Sequence, residues 1–234
     1  MKISILLPYK ENFSPEYPGA VSIFVKDTTL CSQFRNNITV IGNTDYKKKL
    51  LNNYVNLNFT NDLFQSSTKK YIENFLLLEK NNTSEIIEIH NRPSYFNNIY
   101  NNTNAKLVLY FHNDPLTMFG SKKTTERILL INKSKKIIFN SEWTKKRFLN
   151  DLNKFYVKSE KLQVIHQCTN KTKINLNIKK NIITFVGKLN SAKGYDIFCK
   201  SIVKILNNYP EWKAIVIGDE PREKISVKHK NLNL

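Results

Sequence analysis

The stretch of this chain best suited to bind phosphate contains two lysines, each next to a glycine. Gly187 and Lys188 follow a short apolar run, and Lys193 precedes Gly194, where a helical pattern begins. The first turn of a helix offers unpaired N–H groups and partial positive charge, and two nearby ammonium groups could reach an anion above it. The spacing is neither that of the P-loop nor that of the G-x-G-x-x-G dinucleotide motif. These residue types predict a diphosphate site, with a pair of solvated loop lysines as the alternative.

Segments with strand and helix patterns alternate along the chain and would position these residues. Strands are predicted at 2–7, 38–41, 86–90, 107–112, 136–140, 162–166, 182–186 and 212–217. Helices are predicted at 20–34, 68–81, 92–101, 122–133, 142–149 and 194–208. Repeated strand–helix units favour an α/β fold with a parallel sheet that is covered on both faces, and such sheets bind ligands at the carboxyl ends of their strands.

A polar segment without clean periodicity, 167–180, is predicted to be a linker between two domains. The first domain would comprise residues 1–166. The second would begin at 181 and contain only two predicted strands and one helix by residue 234. Because a two-stranded parallel piece cannot bury its own faces well, we expect the second domain to be incomplete in this chain.

The composition favours an anionic partner but does not identify it. There are 37 Lys and Arg against 19 Asp and Glu, which gives a formal net charge of +18. Lys, Asn and Ile are all abundant in this chain, so part of the positive charge reflects its general composition. No five basic residues are consecutive. The three cysteines are scattered, which predicts neither a disulfide framework nor a zinc motif and favours a reducing cytoplasm. The sequence shows neither a signal peptide nor an apolar run of membrane-spanning length, which favours a soluble or peripheral protein.

Four segments, in this order, resemble those of glycosyltransferase family 4. They are 3–8 with Pro18 to Val21, then 110–114, then 137–143, and finally 182–198 with 214–221 behind it. The resemblance covers nearly the whole chain and is strongest in the last segment. It implies the GT-B fold, with two facing Rossmann-like domains. It also implies retaining transfer of a sugar from a nucleotide diphosphate donor to a bacterial polysaccharide, a lipid-linked sugar or another glycan, with no bound metal or other cofactor.

The resemblance also implies roles for individual residues on the donor side. Gly187, Lys188 and Lys193 would contact the donor diphosphate, where the two lysines stabilise the leaving group in place of a divalent cation. His112 would lie near the transferred sugar as the catalytic residue, where it could donate to a sugar hydroxyl or polarise the acceptor. A structural histidine that is satisfied by the backbone is the alternative.

Four further residues would line the cleft or contact the acceptor. Gly19 follows the first strand, where a missing side chain lets a ligand approach the backbone, and an ordinary turn is the alternative. His90 ends a predicted strand and either lines the cleft or packs there. Arg92 could bind an acidic acceptor. Ser141 is most simply a helix N-cap, with a cleft contact as the alternative.

The sequence departs from the family pattern at one important place. Family members carry, further into the second domain, two glutamates separated by seven residues that hold the sugar and ribose of the donor. Glu220 and Glu223 lie too early and too close together to replace them. We therefore expect either a fragment of a longer protein or a degenerate one, with little or no sugar transfer by this chain alone.

The predicted partners are a nucleotide-sugar donor and a glycan or lipid-linked acceptor. The basic helix with Lys145, Lys146 and Arg147 could also contact an anionic membrane, which would make a cytoplasmic protein peripheral on the inner membrane. The alternative function is a non-catalytic basic α/β protein that binds nucleic acid or another polyanion. No nucleic-acid motif is present and the basic residues are dispersed, so no nucleic acid partner is expected.

Overall fold

The computed structural model describes residues 1–60, 65–167, 173, 175, 177–219 and 224–233. The chain forms two compact units, Met1–Asn170 (unit 1) and Lys171–Leu234 (unit 2). Each unit has its own parallel sheet and its own apolar core.

Unit 1 is built on a seven-stranded sheet in which every neighbouring pair is parallel. Its strands are β1 (Ile3–Leu6), β2 (Ile38–Gly42), β3 (Tyr54–Asn56), β4 (Ile86–His90), β5 (Lys106–Phe111), β6 (Lys136–Phe139) and β7 (Leu162–Val164). The spatial order is β3-β2-β1-β4-β5-β6-β7, so the direction of winding reverses between β1 and β4. Doubly wound sheets bind ligands outside the carboxyl ends of the strands at such a reversal.

Helices cover both faces of this sheet. They are α1 (Ala20–Cys31), α2 (Ser67–Asn82), α3 (Phe96–Asn102), α4 (Thr124–Lys133), α5 (Glu142–Phe148) and α6 (Lys154–Val157). One core cluster joins α1 to Ile5, Leu7 and Val40, and the other joins α2 to α5 to the opposite face. Because side chains alternate along a strand, Ile87 and Ile89 of β4 join the second cluster, while Glu88 and His90 lie on the face that carries α1.

In the described part of unit 2, which is the smaller unit, a helix packs on a parallel sheet. Its elements are β8 (Ile182–Val186), α7 (Tyr195–Asn208), β9 (Lys213–Ile217) and β10 (Leu232–Asn233). The strands are parallel in the order β10-β9-β8. Cys199 and Ile202 of α7 pack in one cluster with Ala214 and Val216. Side chains on the other face of this sheet are exposed to solvent: Val186 is 72% and Ile217 is 55% exposed.

The predicted α/β fold with a parallel sheet is confirmed, and the differences lie in short elements and at boundaries. β3, α6 and β10 were not predicted, because elements of two to four residues are too short to show a hydrophobic period. The helix predicted at 20–34 ends at Cys31, and a separate turn of 3₁₀ helix forms at Arg35–Asn37. The helix predicted at 92–101 begins as a 3₁₀ turn at Pro93–Tyr95. In the described parts of the chain, no helix combines the length and the apolar character needed to cross a bilayer.

Candidate functional site

The loop between β8 and α7 carries the residues predicted to bind diphosphate. A 3₁₀ turn at Ser191–Lys193 fills the loop, and the side chain of Asn190 accepts a hydrogen bond of 3.1 Å from the backbone N–H of Lys193. Gly194 follows with φ 75°, a left-handed conformation that favours glycine, and α7 begins at the next residue. The side chains of Lys188 and Lys193 are both exposed. Backbone contacts therefore shape the loop, and both ammonium groups face solvent.

Two glycines bring the carboxyl ends of β8 and β9 close together. The N–H of Gly187 donates to the carbonyl of Ile217 at 3.0 Å. A Cβ on Gly218 would lie only 1.8 Å from the carbonyl oxygen of Gly187, so no other residue fits at position 218 without a shift. Neither glycine has a side chain that would cover the backbone at this end of the sheet. The sequence pattern assigned no separate role to Gly218, although it marked the end of a predicted strand.

Asp196 offsets part of the positive charge of this loop. It lies in the first turn of α7, and its Oδ1 is buried with no hydrogen-bond partner among the described residues. A carboxylate is stabilised there by the helix dipole, but it also opposes a second anion. Binding of a diphosphate at this loop would therefore depend on both Lys188 and Lys193.

In unit 1, His112 and His90 form a hydrogen-bonded pair. Nδ1 of His90 lies 2.9 Å from Nε2 of His112. Tyr110 stacks on both rings, with centroid distances of 5.3 Å to His90 and 4.6 Å to His112. Phe24 of α1 meets the ring of His112 edge-on at 5.2 Å. The His90 side chain is fully buried, whereas His112 is partly exposed at the end of β5.

His112 is also held through its backbone. Its N–H donates to Oδ1 of Asn91 at 3.3 Å, and its carbonyl accepts from Nδ2 of Asn140 at 2.8 Å. These bonds tie together the carboxyl ends of β4, β5 and β6. Burial, and then the neighbouring His90, lower the pKa of His112 to about 3, so its ring is neutral at physiological pH.

Each histidine has a second polar neighbour. Oε1 of Glu88 lies 2.8 Å from Nε2 of His90, although this contact lacks the alignment of a hydrogen bond. Nε2 of Gln167 lies 2.6 Å from Nδ1 of His112. Sequence reasoning did not select either neighbour. Glu88 lies two residues before His90 in the same strand, so both side chains are on one face, and this spacing could have identified Glu88. Nothing local in the sequence indicated Gln167.

At Gly19 the missing side chain makes room for a carboxylate of the same chain. A Cβ on Gly19 would lie 1.8 Å from Oε1 of Glu11. That oxygen accepts from both the backbone N–H and the hydroxyl of Ser22, each at 3.2 Å, and so caps the first turn of α1. In this structure the space predicted for a ligand at Gly19 is therefore occupied by Glu11, which sequence reasoning missed.

Arg92 lines a pocket of about 420 Å³ at the winding reversal of the sheet. Tyr9 follows β1 and Arg92 follows β4, so the pocket lies at the carboxyl ends of these two neighbouring strands. Nη1 of Arg92 donates to the carbonyl of Asn91 at 2.8 Å. Phe119, which is 81% exposed, stands at the wall. A guanidinium and an aromatic ring in one pocket suit an acidic ligand with a ring that can stack.

Ser141 caps α5, as predicted. Its hydroxyl accepts from the backbone N–H of Thr144 at 3.1 Å. Arg147, in the same helix, binds both oxygens of Asp114, with a shortest distance of 2.9 Å. Burial raises the pKa of Asp114, but the hydrogen bonds from Arg147 and Leu116 outweigh it and hold the pKa below its usual value.

The predicted residues thus fall into separate groups. His90 and His112 touch, and Ser141 is joined to His112 through Asn140. In unit 1, Gly19 lies against Glu11, and Arg92 lines a separate pocket. Gly187, Lys188 and Lys193 share one loop of unit 2.

Comparisons with known proteins agree with this architecture. Residues 167–234 match the family model "Glycosyl transferases group 1". No curated protein matches the chain in sequence.

Three similar solved structures are a sucrose-phosphate synthase from Thermosynechococcus elongatus, Anabaena Alr3699/HepE in complex with UDP, and the lipopolysaccharide outer core galactosyltransferase WaaB in its apo form. Their TM-scores are 0.63, 0.60 and 0.58, at 12%, 15% and 16% identity. The alignments cover 96%, 94% and 94% of this chain but only 64%, 61% and 62% of those chains, so this chain spans less than two thirds of their length. The chain therefore has the α/β fold of the GT-B glycosyltransferases, and its residues 167–234 match the pattern of group 1 glycosyl transferases.

Proposed function

We propose that this protein is a retaining glycosyltransferase of family 4. It would transfer a sugar from a nucleotide diphosphate donor to a hydroxyl of a polysaccharide, a lipid-linked sugar or another glycan. One observation carries the proposal: the family match at 167–234 includes the loop in which Gly187, Lys188 and Lys193 lie together at a strand end and a helix start. The UDP complex of a structure with the same fold supports the choice of donor.

On the donor side, the two lysines supply the positive charge. As the bond to the sugar breaks, negative charge develops on the departing nucleoside diphosphate, and ammonium groups placed beside it stabilise the transition state. Gly187 and Gly218 leave the backbone accessible at the same strand ends. No bound metal or other cofactor is needed in this proposal, because Lys188 and Lys193 perform the charge neutralisation.

Among the residues of unit 1, His112 and Arg92 have different roles. The neutral ring of His112 would contact a hydroxyl of the transferred sugar as the catalytic residue. Arg92 would bind an acidic group of the acceptor in the pocket that it shares with Phe119. Gly19, His90 and Ser141 would support these contacts by capping and packing rather than by touching the sugar.

The donor proposal is tested by the double substitution Lys188→Ala/Lys193→Ala. We expect UDP to bind the wild-type chain in calorimetry and to bind the double variant at least about tenfold more weakly, since a charge-assisted contact contributes roughly 1.5–3 kcal/mol. Lys200→Ala is the matched control, because Lys200 is an exposed lysine further along α7. An unchanged affinity in a folded double variant would remove these lysines from the donor site.

The activity itself is tested with a panel of UDP- and GDP-sugars and a mixture of glycan and lipid-linked acceptors. Binding of a nucleotide sugar is the first readout, and any transfer product should keep the anomeric configuration of the donor. If no nucleotide sugar in the panel binds, the proposed function is wrong. Binding accompanied by inversion would overturn only the retaining mechanism.

We also propose a peripheral membrane contact at the basic helix α5. Trp143 is 58% exposed, and Lys145 and Lys146 follow it in the same helix. Basic and aromatic side chains together favour an anionic bilayer surface. The chain should sediment with phosphatidylglycerol vesicles at low salt and not with phosphatidylcholine vesicles, and Lys145→Gln/Lys146→Gln should weaken this association. Equal sedimentation with both vesicle types would contradict the proposal.

A further inference from the structure

Four polar side chains form one continuous line of contacts on the α1 face of unit 1. Glu88 meets Nε2 of His90, Nδ1 of His90 meets Nε2 of His112, and Nδ1 of His112 meets the amide of Gln167. The distances along this line are 2.8, 2.9 and 2.6 Å. Every nitrogen of both imidazoles therefore has a polar neighbour.

The groups at the two ends of the line favour one arrangement of protons. The carboxylate of Glu88 is not aligned for a hydrogen bond, but its negative charge, 2.8 Å from Nε2 of His90, favours a proton on that nitrogen over a lone pair. An amide nitrogen only donates, so the nitrogen of His112 that faces Gln167 is unprotonated. A neutral His112 then carries its one proton on Nε2 and donates to Nδ1 of His90. Both hydrogen bonds of His112 then pair a hydrogen with a lone pair, and the proton on Nε2 of His90 faces the carboxylate of Glu88.

Only one edge of His112 can receive a ligand. Its Nε2 points at His90, which is fully buried, whereas its Nδ1 contacts Gln167, whose side chain is exposed. A group that binds at Nδ1 must replace the amide of Gln167 and must donate a hydrogen bond to a lone pair. A hydroxyl meets this requirement, and an ionised phosphate or carboxylate does not.

We propose that Glu88 and His90 are positioning residues that hold His112 in its Nε2–H form, and that the amide of Gln167 occupies, at Nδ1 of His112, the place of a ligand hydroxyl. The hydroxyl would belong to a sugar, and this part rests on the proposed function. His112 then acts as an acceptor toward the ligand and does not donate to it.

The first test measures the protonated nitrogen directly. Long-range ¹H–¹⁵N correlation spectra of the ¹⁵N-histidine-labelled chain should show His112 and His90 both as the Nε2–H form. Glu88→Ala should convert His90 and His112 to mixtures of the two forms, whereas Gln167→Ala should leave both as Nε2–H. A wild-type His112 in the Nδ1–H form, or a Glu88→Ala spectrum identical to that of the wild type, would overturn the positioning role.

The second test measures ligand binding. For a nucleotide sugar that binds, Gln167→Ala should tighten its affinity by about fivefold, because one neutral hydrogen bond no longer has to be displaced, and should leave the affinity for UDP unchanged. Gln163→Ala, at an exposed position on β7, is the control. Unchanged affinity for the nucleotide sugar would overturn the hydroxyl assignment. If nothing in the panel binds, that assignment fails together with the proposed function, and the spectra alone decide the positioning role.

Discussion

At the scale of single residues, His112 combines a shielded ring with a position at a strand end. Its stacking on Tyr110 and its bond to His90 remove the ring from water, and these contacts disfavour its charged form. The native ring therefore resists protonation until the pH falls to about 3, whereas an unfolded histidine takes up a proton near pH 6.5. Between these two pH values the unfolded state binds more protons, so the free energy of unfolding falls as the pH is lowered.

This difference predicts a specific pH dependence of stability. Between pH 7 and pH 5 the wild-type chain should lose about 1–2 kcal/mol more free energy of unfolding than His112→Gln does. Denaturant unfolding monitored by circular dichroism at both pH values measures this difference. His166→Gln, at an exposed position, controls for the removal of an imidazole as such. Parallel losses in the wild type and His112→Gln would show that His112 titrates normally.

At the scale of elements, the start of α1 depends on a contact across the loop that precedes it. Glu11 caps Ser22 only because Gly19 leaves space for its carboxylate. The N-cap residue of α1 is Gly19, which has no side chain that could accept these hydrogen bonds.

We therefore expect non-additive effects from substitutions at these two positions. Glu11→Ala should lower the free energy of unfolding by about 1 kcal/mol through loss of the cap. Gly19→Ala alone should cost at least as much, because its Cβ displaces the carboxylate, yet in the Glu11→Ala background it should cost little. A double-mutant cycle by chemical denaturation measures the coupling, and strict additivity would contradict the shared space.

At the scale of the whole molecule, the two units differ in how well their sheets are covered. Among the residues that the structure describes, unit 1 has seven strands with a core cluster on each face, whereas unit 2 has three strands and exposes Val186 and Ile217. Fewer buried apolar contacts give a lower local free energy of opening.

Hydrogen exchange of the whole chain should reflect this difference. Amides in β1, β4, β5 and β6 should exchange slowest, and those in β8 and β9 should exchange markedly faster. Mass spectrometry of peptides after timed labelling makes the comparison. Protection in β8 and β9 equal to that in β5 would contradict it.

The longer regular elements and the helix cap at Ser141 could be predicted from the sequence. Apolar runs such as 182–186 and the amphipathic pattern of 194–208 specify strand and helix locally, because burial requires one period or the other. Ser141 was identified as an N-cap from its place before an amphipathic segment, since capping depends on local backbone geometry.

The contacts of these residues depend on the tertiary structure and could not be predicted from local patterns. Glu88, His112 and Gln167 are far apart in sequence and come into line because β4 and β5 are adjacent and parallel and because residue 167 returns to the end of β5. Glu11 fills the space at Gly19 through a loop whose path no periodicity describes. The proton positions that we propose for His112 rest on these long-range contacts, which depend on how the strands are ordered in space and not on the spacing of residues along the chain.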